Sequence, residues 1–107
     1  MPTVSVIIPC YNEEATIRLL LEALLQQTFA QADMEVILAD GLSTDQTRAI
    51  VNAFASEHPE MHLRVVDNPR RNIPAALNCA LAAAQGEVIV RLDAHSRPAP
   101  DYVERSV

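Results

Sequence analysis

Lysine and tryptophan are absent from this chain, and glycine occurs only twice. All eight basic residues are arginine, which excludes a lysine nucleophile or Schiff base. Two glycines, Gly41 and Gly86, cannot build a dinucleotide fingerprint, and a P-loop is equally out of reach. A bound diphosphate would have to be held by a metal ion and arginine instead. The two cysteines, Cys10 and Cys79, lack metal-ligand spacing and a Cys-x-x-Cys motif. They read as free thiols in a reducing compartment. No hydrophobic run reaches the roughly 20 residues of a membrane span. Val4–Ile8 is too short for a cleavable signal and has no basic leader. On these grounds the chain itself is expected to be soluble and cytoplasmic.

Half of the 107 residues are hydrophobic, mostly Leu, Val, Ile and Ala, and aromatics make up 4%. That mix suits a single packed α/β domain rather than disorder. The formal net charge of −6 argues against a nucleic-acid partner.

Val4–Ile8 reads as a buried strand ended by Pro9. Asn12 is a suitable N-cap, and Glu13 and Glu14 suit the positive end of a helix. Ile17, Leu20, Leu21, Leu24 and Leu25 repeat at helical spacing. Glu35–Ala39 is a second strand, followed by a loop at Asp40-Gly41-Leu42. Ser43 and Gln46 form a capping box for a helix with Ile50, Val51 and Phe54 on one face. Leu63–Val66 is a third strand. Asn72-Ile73-Pro74 opens a third helix, with Leu77, Ala80, Leu81 and Ala84 inward and Gly86 closing it. A fourth strand, Glu87–Leu92, runs into Asp93-Ala94-His95, and Pro100–Glu104 opens a fourth helix. The chain stops just after that helix begins, which reads as a fragment incomplete at its C-terminus.

Four strand–helix alternations with short connections predict right-handed crossovers and a mostly parallel, Rossmann-like sheet flanked by helices. Such sheets bind ligands beyond the carboxyl ends of their strands. The segments there are Pro9–Glu13, Asp40–Ser43, Asp67–Arg71 and Asp93–His95, all rich in acidic, amide or guanidinium groups.

Each candidate group has an ordinary reading beside the functional one. Asp93 and His95 could contact a metal ion and a ribose, or be a loop cap beside a surface histidine. An imidazole ligand would favour Mn²⁺ over Mg²⁺. Asp40 could accept from a base, yet Asp-Gly is also a common turn. Tyr11 could stack on a base or cover the sheet end. Glu13 could reach a ligand or serve the helix dipole. Arg70 and Arg71 could clamp a diphosphate or stay solvated, whereas His58 and His62 read as plain surface residues.

Taken in order, several segments resemble the nucleotide-binding half of family 2 glycosyltransferases, which have the GT-A fold. They are Val4–Glu14, Leu25–Phe29, Ala39–Thr47, Ala75–Asn78 and Gly86–Asp93. The resemblance implies that Pro9, Tyr11, Glu13 and Asp40 line a uridine pocket, with Asp40 reading the base edge and Arg71 close to the nucleotide. Asp93 matches the first acid of the family's Asp-x-Asp motif, and His95 stands where the second, metal-binding acid is usual. The Asp-Ala-His form resembles succinoglycan-type exopolysaccharide glycosyltransferases. The implied ligands are a nucleotide-sugar donor, a divalent metal (Mn or Mg) and a saccharide or lipid-linked acceptor. The family's catalytic base and Gln-x-x-Arg-Trp motif lie beyond the fourth strand, so no residue of this chain is assigned as the base. Membrane association would come only through downstream segments. The competing expectation is a non-catalytic α/β module, with self-association through exposed apolar surface. A nucleotidyltransferase ranks behind both, because its glycine-rich loop is missing.

Overall fold

A computed structural model describes residues 2–107. Strand β1 (Val4–Cys10) is followed by α1 (Ile17–Leu25), β2 (Met34–Asp40), α2 (Thr47–Glu57) and β3 (His62–Asp67). Helix α3 (Ile73–Ala83), strand β4 (Val88–Arg91) and helix α4 (Tyr102–Ser106) complete the order. The four strands form one sheet in the order β3-β2-β1-β4, and all three pairings are parallel. Every residue of β1 and β2 is buried. That is why those strands read as near-continuous apolar runs rather than alternating ones.

The two-residue period of a strand divides the core. Val4, Val6, Ile8 and Cys10 of β1 join Met34, Val36 and Leu38 of β2 against Ile17, Leu20, Leu21 and Leu24 of α1 and Val51 and Phe54 of α2. Ile7, Ile37 and Ala39 face the other way, onto Ala76 and Ala80 of α3. These small residues hold the inner face of α3, while Leu81, expected inward, is exposed.

Proline does not end β1, contrary to the sequence expectation. Odd-numbered positions of the strand direct their backbone groups at β4, as Ile7 O accepting from Leu92 N shows. The β1–β4 register stops at Ile7 and Arg91, so the N–H that Pro9 lacks would face a neighbour that has already departed. No ladder bond is lost, and proline is tolerated in an interior strand for that reason. The chain turns from β1 toward β2 on one side and reaches β4 on the other. That reversal makes the carboxyl ends of β1 and β4 a topological switch point.

Gly86 also differs from expectation. Helix α3 ends at Ala83, and no glycine adopts positive φ, so Gly86 is not its left-handed cap. Its N–H donates to Ser5 Oγ at 2.8 Å, and a Cβ there would lie 2.7 Å from the backbone of Ser5 and Val4. Close approach to the central strand is what requires glycine at this position.

Candidate functional site

Two loops at the sheet rim are laced together. The expected N-cap, Asn12, does not cap α1, which begins five residues later. Asn12 takes positive φ, and its Oδ1 accepts from Thr44 N at 2.8 Å. The Asn12 N–H donates to Ser43 Oγ at 2.9 Å, and Glu13 N to Thr47 Oγ1 at 2.8 Å. Ser43 therefore serves this tie and Asp40 instead of opening a capping box. Helix α2 starts at Thr47, whose N–H donates to Asp45 Oδ1 at 2.9 Å. Desolvation works to raise the pKa of the Asp45 carboxyl, and the hydrogen bonds it accepts from Thr47 and from the N–H of Glu14 together outweigh it and hold it below its ordinary range. Among the described residues, three non-glycine residues have positive φ, Asn12, Leu42 and Arg71, and each follows a strand at this rim. Such backbone costs L-residues energy and gathers at ligand sites.

A cleft of about 190 Å³ opens at the switch point, lined by Pro9, Tyr11, Glu13, Arg71, Asp93 and His95 among others. Six of the seven residues expected at the site thus share one cavity. Tyr11 and Arg71 stack, with the guanidinium carbon 5.6 Å from the ring centre. Gly41 lies beneath them, where a Cβ would stand 3.2 Å from Tyr11 Cδ1. On the opposite wall, Thr16 Oγ1 donates weakly to Ala94 O at 3.4 Å, tying α1 to the Asp93–His95 turn. Farther along, the buried Gln27 holds the following segment through Ala99 O at 2.8 Å and Val103 N at 3.0 Å.

Asp40 is the seventh residue, and the structure sets it behind the cleft. It is 1% exposed and shares the α2-facing side of the sheet with Cys10, while Pro9 and Ala76 belong to the α3 side where the cleft opens. Its carboxylate accepts from Ser43 N at 3.1 Å and from Arg48 Nη1 at 3.2 Å. Arg48 also reaches Asp67 Oδ1 at 2.7 Å; the hydrogen bond to Asp67, ahead of that to Asp40, raises its pKa despite partial burial. Counting by twos from Val36 and Leu38 gives the face of Asp40 directly. Burial first, then the charge of Asp40, pushes the Cys10 thiol up to about 12, so no thiolate nucleophile forms here near neutral pH.

Sequence reasoning did not single out Cys10, Asn68, Asn72, Ile73, Ala76 or Ala94, which also line the cleft. Asn72 was seen only as a cap, which it is, accepting from Ala75 N at 2.8 Å. Arg70 is exposed and away from the cavity wall.

Among the described residues, no three metal-ligating side chains come together. Asp93 and His95 offer one carboxylate and one imidazole, both exposed, with Arg91 3.8 Å from the carboxylate. Two donors fit a cation that takes its remaining ligands from phosphate and water, a common arrangement for Mg²⁺, and the imidazole tilts the pair toward Mn²⁺.

Residues 5–107 match the family model described as glycosyl transferase family 2. The chain belongs to that family. This family 2 chain is 39% identical over 104 residues to the succinoglycan biosynthesis protein ExoA of Rhizobium meliloti, across 95% of this chain and 31% of that protein. It spans about a third of the length of the curated relatives it matches. The mannosyltransferase PcManGT from Pyrobaculum calidifontis, solved with GDP-Man and Mn²⁺, superposes with a TM-score of 0.89 at 36% identity. That match covers 98% of this chain and 30% of the mannosyltransferase. S. aureus TarS 1–349 in complex with UDP-GlcNAc gives 0.79 at 30% identity, over 99% of this chain and 30% of TarS. The parallel α/β architecture is thus the GT-A one, as the sequence led us to expect, and the likeness to succinoglycan-type proteins holds.

Proposed function

We propose that this chain is the donor-binding portion of an inverting glycosyltransferase using a UDP-sugar and passing the sugar to a saccharide or lipid-linked acceptor. The observation that carries this reading is the cleft at the β1–β4 switch point, with an aromatic–guanidinium pair on one side and Asp93 and His95 on the other. Similar chains solved with GDP-Man and Mn²⁺ or with UDP-GlcNAc support the donor class.

In this reading Tyr11 stacks on the base and Pro9 forms the floor. Glu13 and Asp93 accept from ribose hydroxyls, and Arg71, stacked on Tyr11, lies close to the nucleotide on the base side. Asp93 and His95 would hold Mn²⁺ or Mg²⁺, which when bound would supply positive charge to offset that on the departing nucleotide. Asp40 acts from behind the wall by fixing the Ser43 loop that carries Asn12 and Glu13. The base that deprotonates the acceptor lies outside residues 1–107, and the protein works on the cytoplasmic side.

Tyrosine emission tests the reading, because the chain has two tyrosines and no tryptophan. UDP with Mn²⁺ is expected to quench the wild type saturably and to leave Tyr11→Leu unchanged. Quenching that survives in Tyr11→Leu, or none in the folded wild type, would refute it.

A further inference from the structure

No charged residue occurs between Asn72 and Gly86, a stretch that holds all of α3. Helices α1 and α2 each carry an arginine and a glutamate, Arg18 with Glu22 and Arg48 with Glu57. A helix with one face on a sheet is expected to turn polar groups outward, and one that is apolar all round is expected to be covered. The inner face of α3 is Ala76 and Ala80, against the sheet. Among the described residues, α3 is the only helix that contributes to the core on its side. Its outer side nevertheless shows Ile73 at 54% and Leu81 at 45% exposure, with Pro74, Asn78 and Ala82 exposed between them.

This face is complementary to itself when a second copy runs the opposite way. Asn78 is the midpoint of the eleven residues of α3. A two-fold axis there brings two carboxamides together, and each can donate to the other and accept from it. Ile73, Leu77 and Leu81 recur every fourth residue and form one ridge beside Asn78. They lie five before, one before and three after it, so reversal sets Leu81 between Ile73 and Leu77 of the second copy. The opposite flank, Ala75, Cys79 and Ala82, is small enough for the two axes to approach closely. The ends agree in charge. Arg70 precedes α3 and Glu87 follows it, both exposed, and among the described residues neither forms an ion pair within the chain. Antiparallel packing sets each Arg70 against Glu87 of the other copy, whereas parallel packing would oppose like charges. We propose that the outer face of α3 is the contact surface for a second copy of this chain, packed antiparallel across a two-fold axis at Asn78.

The size of the face sets the strength of the contact. Eleven residues make a helix about 16 Å long. One pair of such helices buries less than the roughly 1,200 Å² at which stable interfaces begin. The dimer is therefore reversible, with a Kd on the order of 10–100 μM. The inference stands apart from the donor-site reading. Ile73 also lines the donor cleft, so the test uses Asn78, Leu81, Arg70 and Glu87, which do not.

Sedimentation equilibrium on the full chain, from about 1 μM to about 1 mM, tests the proposal. The wild type is expected to pass from monomer to dimer across that range and to form nothing larger, since a two-fold contact closes on itself. Leu81→Arg and Asn78→Arg each set like charges near the axis and should raise Kd by at least about tenfold. Arg70→Glu and Glu87→Arg should each raise it by about fivefold, and the double exchange should restore the wild-type value. All four positions are exposed, and circular dichroism confirms that each variant is folded. Should one of the axis variants fail to fold, the other and the charge exchange still decide. A wild type that stays monomeric at about 1 mM, with the face left to a different protein or to a further segment, overturns the proposal. So does a dimer that ignores Leu81→Arg and Asn78→Arg, because its contact lies elsewhere. A double exchange that restores nothing overturns the antiparallel arrangement.

Discussion

Glu35 sits at the amino ends of the strands, away from the cleft, and its removal should destabilise the fold. The carboxylate is buried and accepts from Ser5 Oγ at 2.5 Å, Gln85 N at 2.6 Å and Arg64 Nη2 at 2.7 Å. Ser5 in turn accepts from Gly86 N, so the cluster ties β1, β2, β3 and the α3–β4 connection together. Burial works to raise the Glu35 pKa, and the bonds from Ser5, Gln85 and Arg64 more than reverse it, leaving it below the usual 4.5. Breaking a buried charged pair costs about 3–5 kcal/mol. Because the Arg64 side chain is 45% exposed and can turn to water, we take the low end, about 3 kcal/mol for Glu35→Ala at pH 7. In a domain of this size that lowers Tm by on the order of 15 °C. The pH dependence has a definite sign. A folded-state pKa below the unfolded value gives stability that is complete above the unfolded value and is lost as pH falls through the folded one. Urea titrations of wild type and Glu35→Gln should therefore differ most near neutral pH and converge below about pH 4, toward and past the lowered folded pKa. A gap that is the same at pH 3 as at pH 7, or an alanine cost under about 1 kcal/mol, would refute the role given to this cluster.

Leu42→Gly should stabilise the chain. The left-handed backbone costs leucine about 1–2 kcal/mol, glycine's extra unfolded freedom returns about 0.5–1 kcal/mol, and Leu42 is 39% exposed. A net gain near 0.5–1 kcal/mol would appear as a Tm higher by several degrees, and an unchanged or lower Tm would count against the strain. Gly86→Ala should act in the opposite sense, by about 2–3 kcal/mol, because the new methyl meets backbone that cannot yield. Calorimetric melting checks it, and a loss within 0.5 kcal/mol would mean that the close approach to Ser5 is not rigid.

Much of the fold is legible in the sequence because buried parallel strands need continuous Val, Ile and Leu, and α1 needs leucines at helical spacing. What stays hidden is set by tertiary partners. Pro9 reads as a strand end until one knows that β4 leaves β1 at that point. Asn12 and Ser43 carry capping signals, yet each spends its hydrogen bonds on the other's loop, which local sequence cannot reveal. Gly86 looks like a helix stop and instead makes room for β1. At the site, Tyr11, Glu13, Arg71, Asp93 and His95 meet in one cleft because all follow strands at the same rim. Asp40 follows one too, but strand periodicity turns it to the other face. Asn68 falls in a segment the sequence sets at the rim, but its unpaired amide oxygen is a property of the packed structure.

The most direct test of the donor site is calorimetry of UDP binding to the wild type and to Asp93→Asn, with and without Mn²⁺. The Asp93 side chain is about half exposed, so Asp93→Asn should melt within a degree or two of wild type, as surface changes do. We expect saturable, Mn²⁺-dependent binding by the wild type and at least a tenfold weaker, Mn²⁺-insensitive affinity in the variant. Equal affinities in the two proteins, or no binding by a wild type that is folded, would contradict the assignment.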